Sequence, residues 1–77
     1  MKKLEILQQA HQQRVDEVEM YQINIDNYNL AIAEIEKAND VDLDGFKDQL
    51  KTLLKSEIIE QKKSKVMLAV IKMQLEM

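Results

Sequence analysis

Cysteine, proline and tryptophan are absent from this 77-residue chain, and glycine occurs once. Without cysteine there is neither a disulfide nor a thiolate metal site. The single histidine, His11, cannot by itself build an imidazole-based zinc site. Without proline, no ring clash or missing N–H interrupts a helix anywhere along the chain. Aromatic side chains are limited to Tyr21, Tyr28 and Phe46, so Leu, Ile, Val, Met and Ala must do the packing. The longest apolar run, the six residues Val66–Ile71, falls far short of the roughly 18 that a membrane span requires. Met1-Lys2-Lys3 is basic, but no apolar stretch follows it, so a signal peptide is not expected. These absences point to a cytoplasmic protein, in the host cytoplasm if the gene is carried by a phage.

What remains is helical periodicity. Leu4, His11, Val18, Ile25 and Ile32 repeat every seven residues, as do Leu7, Arg14, Tyr21, Tyr28 and Ile35. The alternating steps of three and four are those of a coiled-coil seam. Asn24–Asn29 is poor in helix formers, yet Ile25 and Tyr28 hold the seam through it, and the helix is expected to continue. Turn chemistry is confined to Asn39-Asp40-Val41-Asp42, beside the lone Gly45. Asn39 suits the left-handed residue just past a helix end. Asp42 is expected to cap the second helix, with Val41 and Phe46 forming a hydrophobic staple. The chain is thus expected to be one domain, residues 1–77, with a helix over 2–38, a turn over 39–42 and a helix over 43–76.

The second helix has two apolar lines. Leu54, Ile58, Leu68 and Leu75 lie on one, and Ile59, Val66, Val70, Met73 and Met77 on the other, with Gln61-Lys62-Lys63-Ser64-Lys65 between them. A helix of this kind can touch more than one neighbour. Charge divides between the halves within a net −3: residues 1–38 carry seven acidic against four basic side chains, and residues 49–77 three against six. A fold-back near residue 41 sets residue i roughly opposite residue 82 − i. Glu17 and Glu19 then fall near Lys63 and Lys65, and these four are expected to set the register as cross-helix ion pairs. The same register exposes an imbalance: residues 66–77 hold nine apolar residues, whereas the facing residues 5–16 hold Ile6, Leu7, Ala10 and Val15. At about 0.8 kcal/mol per buried CH₂, leaving the difference in water would forfeit several kcal/mol. A second surface is therefore expected to cover Val66, Met67, Val70, Ile71, Met73 and Met77, supplied by another copy or by a target protein.

Chemical motifs are few. Asp40-Val41-Asp42-Leu43-Asp44-Gly45 matches the first half of a calcium loop, and Asp48 would be its ninth position. The twelfth position, which needs a bidentate Glu, is Lys51. Asp40, Asp42, Asp44 and Asp48 thus form a weak metal candidate and are read first as caps and helix-dipole partners. No nucleophile–base–orienter constellation, Gly-rich phosphate loop or Glu-x-x-His pair is present, so neither an enzyme nor a cofactor is expected. Lys51, Lys55, Lys62, Lys63, Lys65 and Lys72 could form a basic ridge. In architecture alone, a dimer of such hairpins resembles Rop, the plasmid-encoded four-helix bundle that binds paired RNA loops, which implies nucleic-acid binding through these lysines as an alternative. The methionines at the C-terminus favour a protein surface that adapts to its partner.

The combined expectation is an all-α, coiled-coil-like antiparallel two-helix hairpin that self-associates into a four-helix bundle or a higher oligomer. Its expected role is that of a small non-catalytic protein-interaction module: an adaptor, an assembly chaperone or an inhibitor of a host factor of the phage accessory kind. Nucleic-acid binding and a weak calcium response are the alternatives.

Overall fold

The computed structural model describes residues 2–77; Met1 lies outside them. Helix α1 spans Lys2–Ala38, a single 3₁₀ turn spans Val41–Leu43, and helix α2 spans Asp44–Glu76. The two long helices, of 37 and 33 residues, pack against each other in an all-α hairpin. At 1.5 Å per residue they are about 55 and 50 Å long, matching a body of 58 × 14 × 14 Å. The weak stretch Asn24–Asn29 remains continuous helix, with the buried Ile25 anchoring it to the seam.

Local chemistry makes the corner. Asn39 takes φ 51°, the left-handed conformation that a short polar side chain tolerates, and its N–H still bonds the Ile35 carbonyl at 3.2 Å. The cap differs from expectation. It is Asp40 whose carboxylate accepts from the Asp42 N–H, at 2.9 Å, while Asp42 lies inside the 3₁₀ turn. That extra turn starts the rotation two residues early, so α2 begins at Asp44, and Leu43 before it supplies no side-chain cap. Val41 is left largely exposed and Phe46 half-exposed, so no staple shields them from water.

Across the seam, Glu17 meets Ser64, Asn24 meets Glu57, Gln22 meets Gln61 and Glu36 meets Lys47. Each pair lies within one position of the 82 − i register. From α1, the expected line Leu7, His11, Arg14, Val18, Tyr21, Ile25, Tyr28, Ile32 and Ile35 faces inward, buried or half-buried; Leu4, at the open end, is exposed. Opposite it the inward line is Leu43 of the 3₁₀ turn followed, in α2, by Lys47, Leu50, Leu54, Glu57, Gln61, Ser64, Leu68, Ile71 and Leu75. It departs from the sequence reading in two places. Lys47 is half-buried while the neighbouring Phe46 is exposed, and the polar Gln61 and Ser64 are buried in the middle of the seam.

Gly45 is not required for the corner: it has no positive φ, and a Cβ there would meet nothing within 4 Å. Gly45→Ala is expected to stabilise the hairpin by about 0.4–1 kcal/mol by restricting the unfolded chain. The matching rise in melting temperature, about 2–8 °C for this length, is read by circular dichroism.

Candidate functional site

Two features separate this hairpin from an ordinary coiled coil, and they are two sides of one arrangement. The first is the polar middle of the seam. The Gln61 amide donates to the Val18 carbonyl at 3.1 Å and to the Gln22 side chain at 3.0 Å. Ser64 Oγ donates to Glu17 Oε2 at 3.1 Å, and Arg14 Nη1 reaches the same oxygen at 3.0 Å. Asn24 Nδ2 lies 3.5 Å from Glu57 Oε2. Among the described residues, no buried side-chain nitrogen or oxygen lacks a hydrogen-bond partner. A buried amide left alone would cost about 1–3 kcal/mol, so this cluster confines the two helices to one alignment.

The second feature is the outward face of α2. Turning Gln61 and Ser64 inward places Ile59, Val66, Val70, Met73 and Met77 on the opposite side of the helix, at steps of three, four and seven. Val66 is 62 % exposed and Met73 65 %, against 8 % for Ile71. Of the six residues expected to form an interface, Val66, Met67, Val70, Met73 and Met77 are exposed. Ile71 is not: it lies on the inner line and packs toward α1. This solvent-facing line thus combines flexible thioethers with β-branched groups. On α1, Met20, Ile23 and Leu30 are also exposed on its outward side.

The expected register-setting pairs do not form. Among the described residues the ion pairs are Arg14–Glu17, Lys63–Glu60 and Lys47–Glu36. Glu17 is held by Arg14 and Ser64, Lys63 turns to Glu60 one helical turn away, and Glu19 and Lys65 take no ionic partner. Polar groups inside the seam therefore hold the register in place of the charges flanking it. Gln61 and Ser64 were missed because they interrupt the apolar periodicity. The signal that finds them is the unbroken heptad Leu50, Glu57, Ser64, Ile71 alternating with Leu54, Gln61, Leu68, Leu75.

The acidic corner holds no metal geometry. The Asp40 carboxylate caps the 3₁₀ turn, and among the described residues no group of three or more His, Cys, Asp or Glu side chains is placed to hold an ion. His11 lies half-buried in the seam, level with Ile71, and the Ser64 hydroxyl is engaged by Glu17. No described helix is long and apolar enough to cross a membrane. No protein family, curated protein or solved structure matches this chain.

Two outcomes follow. Gln61→Leu should raise stability by about 1 kcal/mol, since the leucine gains burial while Gln22 is exposed to water; thermal melts would show this as about 4–8 °C. Melting temperature and helicity should be the same in calcium and in chelator, and a calcium-dependent rise would restore the acidic loop as a site.

Proposed function

We propose that this chain is a small non-catalytic protein-interaction module of the adaptor, assembly-chaperone or inhibitor kind, which self-associates and holds a partner protein on the outward face of α2. The observation that carries the reading is the solvent-facing line Ile59, Val66, Val70, Met73 and Met77, with Met67 at its edge. Each of these side chains is worth up to about 1.5–3 kcal/mol when fully buried. An exposed apolar line on a charged helix, here continuous from Val66 to Met77, is the surface that an amphipathic partner helix covers. The polar seam supports the same reading, because it fixes the outward line in place before any partner arrives.

A second reading, nucleic-acid binding, draws support from the lysines. Lys51, Lys55, Lys62, Lys65 and Lys72 fall on one charged flank of α2, and none has an ionic partner among the described residues. They extend over about 32 Å of helix. Acidic residues of α1 and the net charge of −3 weigh against it.

Met73→Asp separates the readings. It should lower the amount of partner captured from lysate at least about tenfold, which corresponds to about 1.4 kcal/mol, while the circular dichroism spectrum stays helical. Undiminished capture would remove the stripe from the binding surface. RNA or DNA retention that falls steeply with salt, and is abolished by changing Lys62 and Lys65 to Glu, would favour the second reading.

A further inference from the structure

The exposed apolar side chains are not spread evenly around the hairpin. Cross-helix bonds define its two flanks. On one, Glu17 and Asn24 of α1 reach Ser64 and Glu57 of α2; on the other, Gln22 and Glu36 reach Gln61 and Lys47. The second flank carries Lys51, Lys65 and Lys72. The first carries Phe46, Leu53 and Met67 from α2, one every seven or fourteen residues, beside Ala10, Ala31 and Ala38 of α1. Phe46 is 50 % exposed and Leu53 41 %. On this flank, then, α2 projects large apolar groups and α1 leaves alanine gaps. By the register, Leu53 is nearly level with Ala31, and Phe46 with the α1 end near Ala38.

Lys3 and Gln74 end this flank, exposed at the open end of the hairpin; its other polar members are already engaged within the chain: Glu17 by Arg14 and Ser64, Asn24 by Glu57, Glu60 by Lys63. Covering them strands no polar group. The chain also exposes more surface than its mass calls for. Area scaling gives about 4,850 Å² for a compact monomer of this mass, whereas this 9.0 kDa chain exposes 6028 Å². The excess, about 1,200 Å² per chain, is that of a rod of 58 × 14 × 14 Å, and two rods laid side by side so as to hide it would bury about 2,400 Å², within the range of permanent homodimers.

We infer that this flank is the seat of a second copy of the chain, related by a two-fold axis running along the hairpin, so that Phe46 and Leu53 of each copy enter the alanine gaps of the other. Large groups then face small ones across the interface, as close packing demands. Every helix has two antiparallel neighbours, with acidic α1 beside basic α2 throughout. The arrangement completes a four-helix bundle and leaves the outward line of α2 free for a different protein. It rests on the self-association proposed above and assigns that association to one surface.

Sedimentation equilibrium of the full chain at micromolar concentration tests it. The wild type is expected to be a dimer, Leu53→Lys a monomer of unchanged helicity, and Lys55→Glu, on the charged side, still a dimer. Oxidising a mixture of chains carrying only Ala31→Cys with chains carrying only Leu53→Cys is expected to give the mixed disulfide as the main product. That measurement does not depend on how well Leu53→Lys folds. A dimeric Leu53→Lys together with a monomeric Met73→Asp would move the second copy to the outward line, overturning this inference and leaving self-association intact. Absence of the mixed disulfide in a dimeric sample would overturn the geometry. A monomeric wild type would remove self-association itself, while the capture experiment with Met73→Asp would still judge the partner surface.

Discussion

Gln61, buried between the helices and bonded to both the backbone and a side chain of α1, is the constraint on which the rest of the structure turns. A leucine seam accepts several alignments with similar energy. A seam with an amide in it accepts the one where the amide finds its partners, because the alternatives leave it unsatisfied in a poorly solvated place. Ser64 and the Arg14–Glu17 pair extend the same condition by one helical turn. Polar residues at inward coiled-coil positions are known to trade stability for register in this way.

Rotation follows from register. An α-helix has one azimuth per residue, so turning Gln61 and Ser64 toward α1 turns Ile59, Val66, Val70 and Met73 away from it. The exposed apolar line is therefore a geometric consequence of the polar seam, and neither feature can be changed without disturbing the other. In the turn half of the hairpin Ile25, Ile35 and Leu50 are buried, with Lys47 and Glu57 half-buried beside them. Toward the termini the inward line of α2 keeps Leu68, Ile71 and Leu75, while a second apolar line lies outside.

Charge has a smaller part in the fold than its distribution implies. The acidic front and basic rear halves invite pairing, yet among the described residues the one cross-helix ion pair is Glu36–Lys47 near the corner, at 3.5 Å. Exposed pairs are worth about 0–1 kcal/mol and do not repay the ordering of two long side chains.

Much of this was legible in the residues. The helix bounds, the left-handed Asn39, the inward line of α1 and the alignment near 82 − i all come from short-range periodicity and turn chemistry, which depend on neighbours a few positions away. The presence of two apolar lines on α2 was legible for the same reason. Which line faces α1 was not, since a helix with a broad apolar arc has no preferred azimuth until another helix offers partners. Tertiary structure made that choice through the Val18 carbonyl, Gln22 and Glu17, groups some 40 residues away that single out Gln61 and Ser64. Ile71 went inward and Met73 outward by the same decision. The sequence by itself determined the hairpin and the place of its turn; packing determined which surface the hairpin shows to the world, because hydrogen-bond satisfaction across a seam is a property of two helices and of neither alone.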